Sequence, residues 1–279
     1  MTRPRSTAPV ERQRRVTDHF EAESAFWRDV YVEPGAWGTI FSERRDLSLA
    51  WVDQLELPAE ARILEVGCGA GSMTAALARR GYRVDAIDSS EAMVRLTREH
   101  TDELDLGKRV TVAAGDVHEL PFDDDVFDVV VALGVIPWLH SPPRGMREMA
   151  RVMKPGGHLI FTSDNRAAAH HLLDPRFNPV LVPLKHLVKR LLQRTISWQR
   201  PETPRTYPVR FVNRLISDAG LARIRMQTIG FGPFSFLGRE LLPQRAGIRL
   251  HRFLQRLAER QFPVIRSIGG QHLVLACKL

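Results

Sequence analysis

Cysteine and long hydrophobic runs are both scarce in this sequence. Cys68 and Cys277 are its two cysteines and lie far apart, which excludes a disulfide scaffold and a cysteine-rich metal cluster. The longest uncharged apolar stretch, residues 129–139, is too short for a transmembrane helix, which needs about 20 residues. Residues 1–15 are rich in Arg, Pro, Ser and Thr and lead into no apolar run, so they predict neither a secretory signal nor an anchor. We therefore expect a soluble, cytoplasmic protein.

Charge is distributed unevenly along a chain of otherwise ordinary composition. Its 279 residues, 44% hydrophobic and 26% charged, suffice for one large domain or two small ones and exclude wholesale disorder. Residues 1–165 carry 20 basic and 27 acidic side chains, whereas residues 166–279 carry 20 and 5. Such asymmetry fits an anionic partner, a membrane surface or simply a solvated arginine-rich face, and composition alone leaves all three open.

From residue 62 onward, short β-branched runs alternate with helical patterns. This alternation predicts right-handed crossovers and a largely parallel sheet, with a final strand pair closing one edge. The predicted strands are residues 62–66, 83–87, 110–114, 127–133, 158–163, 221–229 and 271–278.

The remaining segments predict a single domain with helical additions rather than a second domain. Two basic amphipathic helices, at residues 183–194 and 246–260, are typical of lid helices with solvated arginines, or of helices that lie on anionic membranes. The predicted organisation is a flexible arm (1–15) and one domain (16–279) comprising a helical cap (16–57), a core (60–165) and two lid insertions (166–206 and 237–262).

A glycine-rich turn follows the first predicted strand. Gly67, Gly69 and Gly71 let the backbone approach a ligand, and the helix that begins there points free N–H groups toward it. Position 72, where a dinucleotide fingerprint has its third glycine, is Ser72. A glycine turn alone is a weak signal, because many nucleotide-binding folds contain one.

Two carboxylates narrow the choice of ligand. Glu65 precedes the first glycine by two positions, where it would repel a pyrophosphate and attract a ligand with an amino group and a sulfonium charge. Asp88 ends the second predicted strand, where a carboxylate accepts ribose hydroxyls. Asp88 alone would equally fit a cap for the helix that follows.

Together these features resemble the class I S-adenosylmethionine-dependent methyltransferase family. The resemblance covers residues 60–165 and rests on the run ILEVGCGAG, Asp88, Gly115-Asp116, the strand FDVVVALG and the turn KPGGHL, in that order. It implies S-adenosylmethionine as the cofactor. It also implies an α/β fold: a doubly wound, Rossmann-like, seven-stranded sheet with helices on both faces and an antiparallel last strand.

The resemblance also implies roles for individual residues. Gly67 and Gly69 would line the methionine portion, Asp88 would hold the ribose, and Asp116 with Val117 would recognise the adenine. Considered alone, Asp116 could also be a turn residue.

Three further positions are assigned in the same way. Met93 would pack on the adenine face, although a core methionine is the alternative. Leu133 and Gly134 would close the fourth strand against the cofactor. We expect no metal, because no His, Asp or Glu spacing is typical of a metal site.

The acceptor side is less well defined. His140, soon after the fourth strand, is the first candidate for a general base, with packing against the neighbouring helix as the alternative; His170 and His171 are the next candidates.

Three cap residues are open in the same way. Tyr31, Trp37 and Arg45 could reach the ligands, or could serve only in packing or lie on the surface.

Three functions remain at this point. The first is in-line methyl transfer to oxygen or nitrogen of a hydrophobic or aromatic small molecule. The second is a lipid or quinone methyltransferase with peripheral membrane contact. The third is a non-catalytic cofactor- or nucleic-acid-binding module. We expect no nucleic-acid partner, because residues 136–139 (Ile-Pro-Trp-Leu) replace an Asn-Pro-Pro-Tyr-like signature, and we leave the acceptor and the oligomeric state open.

Overall fold

A computed structural model describes residues 9–31, 35–169, 203–236 and 239–279. The β-branched runs form strands because their side chains pack on both faces of a pleated sheet. The strands are β1 (Arg62–Val66), β2 (Arg83–Asp88), β3 (Val110–Ala114), β4 (Phe127–Ala132), β5 (Met153–Asp164), β6 (Leu221–Ile229), β7 (Ser235–Phe236), β8 (Arg239–Glu240) and β9 (Gln271–Lys278).

Seven of these strands form one mixed sheet in the order β3-β2-β1-β4-β5-β9-β6. Strands β1 to β5 are parallel to their neighbours, whereas β9 is antiparallel to both β5 and β6. The expected seven-stranded sheet with an antiparallel last strand is therefore confirmed. Strands β7 and β8 form a separate short antiparallel pair.

Helices flank the sheet on both sides. Met146 and Leu215 belong to the core on one face, and Trp51 and Leu77 belong to the core on the other. The helices of the described ranges are α1 (Pro9–Ala22), α2 (Ser24–Asp29), α3 (Ala36–Asp53), α4 (Ser72–Ala78), α5 (Glu91–Glu103), α6 (Pro142–Val152), α7 (Val209–Asp218) and α8 (Gln244–Glu259). In the same ranges, no helix combines the length and apolarity that a membrane span requires.

Two boundaries differ from the sequence prediction. Helix α1 begins at Pro9, so residues 9–15 of the predicted arm are helical, because Glu, Arg and Gln there are good helix formers. Strand β5 begins at Met153 and includes the predicted turn at residues 154–157. The register with β4 shifts there, from the pair Phe127–Met153 to the pair Val129–His158. The turn is thus an irregularity within the strand pair rather than a break before it.

Part of the first lid insertion lies outside the described residues. His170, His171 and the predicted basic helix at 183–194 belong to that part. The second predicted lid helix corresponds to α8, whose His251 Nε2 lies 2.8 Å from Glu43 Oε2 of α3. It therefore packs against the helical cap.

Candidate active site

A cavity of about 380 Å³ opens at the carboxyl ends of β1, β2 and β4. The glycine turn and the ends of the strands form one wall, and side chains of α1, α2 and α3 form the other. Open α/β sheets bind their ligands at this edge. Of the predicted cofactor residues, all except Gly71 line the cavity.

The glycine turn brings the backbone close to the cavity. Gly67 has φ of +71°, and a Cβ at this position would lie 2.6 Å from Val135 Cγ2. Gly69 has φ of +56°, and Gly71 has φ of +79° where it caps α4. Side chains are disfavoured at these dihedrals, so the glycines leave room for a ligand beside the backbone, while their amides bond to Ile87, Asp88 and Cys68 within the protein. Gly71 lies outside the cavity lining and turns the chain into α4.

Asp88 lies between the glycine turn and the start of α5. Its Oδ2 accepts a hydrogen bond from the Gly69 amide at 3.0 Å, and its Oδ1 accepts one from the Ser90 amide at 3.0 Å. The cap of α5 is Ser90, whose hydroxyl accepts from the Met93 amide at 3.3 Å. Each carboxylate oxygen has a further lone pair, so Asp88 can still accept ribose hydroxyls.

Glu65 is buried beneath the glycine turn. Thr74 Oγ1 donates to its Oε2 at 2.5 Å. Burial, together with the neighbouring charge of Asp88, raises the pKa of Glu65 to about 8. In the absence of a ligand the carboxyl group is therefore mostly neutral at pH 7, and a cationic ligand would favour its ionised form.

Asp116 and Val117 lie at the end of the cavity that follows β3. Asp116 Oδ1 accepts from the His118 amide at 2.9 Å and lies 2.6 Å from His118 Nδ1. Since His118 Nε2 accepts from the Ser141 amide at 3.3 Å, the ring proton lies on Nδ1 and is donated to Asp116. These hydrogen bonds lower the pKa of Asp116. Together with its place in the cavity lining, they make Asp116 more than a turn residue.

Met93, Leu133 and Gly134 complete the predicted set. Met93 is almost fully buried and also lines the cavity, so packing and ligand contact are compatible roles. Gly134 has φ of +79°, and its amide donates to Thr162 Oγ1 at 2.7 Å. This bond fixes the chain where β4 ends against the cavity.

His140 lies outside the cavity lining. Its ring stacks on His118 with a centroid separation of 3.6 Å, and its Nδ1 lies 3.5 Å from Gln13 Oε1. Burial and the neighbouring His118 lower the pKa of His140. The structure thus gives His140 the packing role that the sequence left as the alternative. The short 3₁₀ turn Ile136–Trp138 presents Trp138 to the cavity instead.

Arg44 is a cavity residue that sequence reasoning missed. Its side chain on α3 is buried, its Nε has no hydrogen-bond partner within the described residues, and its Nη1 lies 3.5 Å from Gln271 Oε1. Gln271 Nε2 in turn donates to Asp164 at 2.8 Å, and burial raises the pKa of Asp164 to about 6. A buried guanidinium with an unsatisfied donor suits a carboxylate ligand. The sequence does not single out Arg44, because it stands within the charged run of residues 43–46.

The three cap residues whose roles the sequence left undecided, Tyr31, Trp37 and Arg45, all line the cavity. Arg45 Nη1 donates to Ser72 Oγ at 2.8 Å, and its guanidinium carbon lies 5.9 Å from the centre of the Tyr31 ring. Trp37 is 47% exposed at the cavity mouth. Each therefore combines a structural contact with access to a ligand.

Helix α1 is tied across the cofactor side of the cavity. Glu21 Oε1 accepts from Ser90 Oγ at 2.9 Å and from the Ala92 amide at 3.1 Å, and Thr17 Oγ1 donates to Ser89 Oγ at 3.3 Å. These contacts join α1 to the start of α5. No local sequence pattern predicts these contacts, because the partners are about 70 positions apart.

Beyond the glycine turn the cavity is walled by rings. Adjacent rings lie 5.1 to 5.8 Å apart between centroids, in stacked, tilted and edge-on pairs. This aromatic compartment consists of His19, Phe20, Trp27, Phe41 and Trp138. It suits a flat, hydrophobic ligand. Within the described residues, no cluster of three His, Cys, Asp or Glu side chains could hold a metal ion.

Comparisons with known proteins agree with this geometry. Residues 64–161 match a methyltransferase domain. The chain is 29% identical over 228 residues to a ubiquinone biosynthesis O-methyltransferase of Alkalilimnicola ehrlichii, covering 80% of this chain and 86% of the relative. It is 30% identical over 156 residues to the protein of the same name from Pseudomonas entomophila, covering 55% of this chain but only 63% of that relative.

Two solved structures share the fold. The [4+2]-cyclase SpnF superposes with a TM-score of 0.64 at 20% identity, over 98% of this chain and 97% of its own. The magnesium protoporphyrin IX methyltransferase of Synechocystis, solved with bound SAM, superposes with a TM-score of 0.62 at 17% identity, over 98% and 100%. At these identities the likeness establishes the fold, and the two proteins' different names show that one fold serves different reactions.

The glycine turn and Asp88 are the first targets for mutation. We expect Gly67→Val and Asp88→Ala each to weaken S-adenosylmethionine binding at least about 100-fold. The first places a side chain against Val135, and the second removes the predicted ribose acceptor and the hydrogen bond to Gly69. Titration calorimetry measures the affinity, and circular dichroism checks the fold. Asp85→Asn on the same strand is the control, and wild-type affinity in either test variant would refute the site.

The raised pKa of Glu65 predicts that Glu65→Gln stabilises the fold but weakens cofactor binding at high pH. Because its folded-state pKa is raised from 4.5 to about 8, the stability gained from the neutral carboxyl group is full below pH 4.5 and is lost as the pH rises through 8. We expect Glu65→Gln to unfold at least about 3 °C above wild type near pH 8.5, with little difference near pH 5. The same variant should bind S-adenosylmethionine about tenfold more weakly near pH 8.5.

Scanning calorimetry and titration calorimetry at the two pH values measure both effects. Glu60→Gln, which alters an exposed carboxylate paired with Arg83, is the control. A pH-independent difference between Glu65→Gln and wild type would contradict the assignment.

Proposed function

Because the chain is a class I S-adenosylmethionine-dependent methyltransferase, we propose that it methylates a hydroxyl group on a hydrophobic, quinol-type aromatic ring. The observation that carries the proposal is the aromatic compartment, which shares one cavity with the glycine turn. Acceptor and cofactor can therefore meet without crossing solvent. The relatives' name, ubiquinone biosynthesis O-methyltransferase, supports oxygen as the acceptor atom and a quinol-type ring as the substrate class.

The residues present fit S-adenosylmethionine. Gly67 leaves a space that a Cβ could not share with Val135. Asp88 is placed to hold the ribose hydroxyls, Glu65 to face a cationic group, and Arg44 to pair with the methionine carboxylate through its unsatisfied donor. When bound, the cofactor supplies a methyl group on a positively charged sulfur.

The chain's own contribution is alignment and exclusion of water. The aromatic compartment holds the acceptor ring flat and desolvated, and the glycine turn fixes the donor side of the cavity. Positioning of this kind supplies roughly 7–11 kcal/mol of the barrier reduction in favourable cases. Helix α1, held to α5 through Glu21, covers both ligands.

Peripheral membrane contact is the second candidate, because α8 has an outward basic face. Arg249, Arg256 and Arg260 are exposed there, together with Phe253 (52% exposed) and Phe262 (54%) just beyond the helix. Exposed rings among arginines match an anionic membrane interface, where a hydrophobic acceptor would reside. The buried face of α8, with His251 and Ala258, packs on the protein.

The acceptor class is tested with a labelled-methyl assay. We expect transfer to the ring hydroxyl of a prenylated catechol and none to RNA. Trp27→Ala should raise KM for the catechol about tenfold or more, because a compartment wall is lost. Its affinity for S-adenosylmethionine should stay within about twofold of wild type. Label on nucleic acid, or on no phenolic acceptor, would contradict the proposed function.

The membrane candidate is tested by cosedimentation with phosphatidylglycerol vesicles at low salt. We expect the wild type to sediment with these vesicles but not with phosphatidylcholine vesicles. The pair Arg249→Glu and Arg260→Glu should abolish sedimentation, because it reverses two charges on the exposed face. The pair Arg79→Glu, directly after α4, and Arg95→Glu, on α5, is the matched control. Equal loss in both pairs, or no wild-type binding, would refute a docking role for α8.

A further inference from the structure

His19 on α1 lines the cavity, and its imidazole has been described only as a wall of the aromatic compartment. Its ring stacks on Trp138 at 5.2 Å between centroids, with 29° between the planes, and contacts the edge of Phe20 at 5.3 Å. The imidazole thus forms part of the aromatic compartment rather than of the cofactor side. Of the described residues that line the cavity, His19 is the one histidine.

The other cavity groups that accept protons are already engaged. Glu65 accepts from Thr74, and Asp88 accepts two backbone amides. Burial raises the pKa of the Cys68 thiol, and Thr97 donates to its sulfur at 3.4 Å. His140 stacks behind the cavity wall. Asp116 bonds to His118, and Asp164 accepts from Gln271. His19 and its neighbour Glu23 are therefore the proton acceptors that lie at the aromatic compartment.

Glu23, directly after the end of α1, places its carboxylate beside the imidazole. Its Oε2 lies 3.5 Å from His19 Nε2, an ion-pair contact between side chains four positions apart. The Glu23 contact uses Nε2, so Nδ1 is the ring nitrogen left to face a ligand in the cavity that His19 lines. A carboxylate beside an imidazole stabilises the imidazolium that forms when the ring takes a proton.

We propose that His19 is the general base of the methyl transfer and that Glu23 is its positioning residue. The inference rests on the proposed hydroxyl methylation. The acceptor's hydroxyl proton moves to His19 Nδ1. At the same time a lone pair of the acceptor's hydroxyl oxygen forms the bond to the methyl carbon. The electron pair of the carbon–sulfur bond stays on sulfur. The imidazolium then returns the proton to solvent.

Acceptors of different acidity test the assignment. With a prenylated catechol near pH 7, we expect His19→Gln to lower kcat by about 10²–10³-fold, in the range usual for general-base catalysis, with KM within about threefold. With 4-nitrocatechol, which is already largely ionised, the same variant should lose less than about tenfold. Glu23→Gln should lower kcat about tenfold with the catechol and leave S-adenosylmethionine affinity unchanged.

Chemical rescue separates catalysis from packing. We expect added imidazole to restore part of the activity of His19→Ala, because a free base can enter the vacated space, and to leave the matched control His100→Gln unaffected. Equal losses of His19→Gln with both acceptors, or no loss at all, would overturn the assignment. Larger losses in His140→Gln would transfer the role to that residue. If the wild type methylates neither acceptor, the proposed function fails before the role of His19 is reached.

Discussion

The carboxylate of Asp88 joins the two chain segments on which the site depends. One oxygen accepts the Gly69 amide and the other accepts the Ser90 amide, so the glycine turn after β1 and the start of α5 after β2 are fixed to one another. Burial raises the pKa of Asp88, while these amide hydrogen bonds oppose the shift. Within the described residues, the carboxyl group is thus held by backbone donors rather than by a cationic side chain. A ribose bound there would add donors to an acceptor already in place.

The same junction governs access from the N-terminal side. Glu21 bonds to the first turn of α5, directly after the segment that Asp88 holds, and so lays α1 over the cavity. Helix α1 then contributes His19 and Phe20 to the aromatic compartment. The cofactor and acceptor sides of the cavity are therefore coupled through one helix. This coupling explains how a fold shared by different enzymes acquires its own acceptor site from its cap.

The parts of the site that could be predicted from sequence are those that follow a strand directly. Gly67, Asp88 and Gly134 end their strands at the same sheet edge, so strand alternation was enough to bring them together. His19 and Arg44 reach the cavity through the packing of α1 and α3, which depends on contacts between distant positions. His140 also follows β4 closely, but beyond the 3₁₀ turn Ile136–Trp138 it stacks on His118 outside the cavity lining, so its place after the strand did not bring it into the cavity.

The structure shows where the carboxylates of the acidic half of the chain, residues 1–165, lie. Several of those carboxylates form exposed ion pairs, such as Glu119 with Arg144, which contribute little to stability. The few that line the cavity, Glu65 and Asp88 above all, are suited to a ligand with cationic groups and ribose hydroxyls.

The most direct test of this account is a crystal structure with S-adenosylhomocysteine bound. The account predicts both ribose hydroxyls within hydrogen-bond distance of the Asp88 carboxylate and the sulfur facing the aromatic compartment at Trp138. A nucleoside bound with its ribose away from Asp88, or a sulfur facing away from those rings, would contradict it.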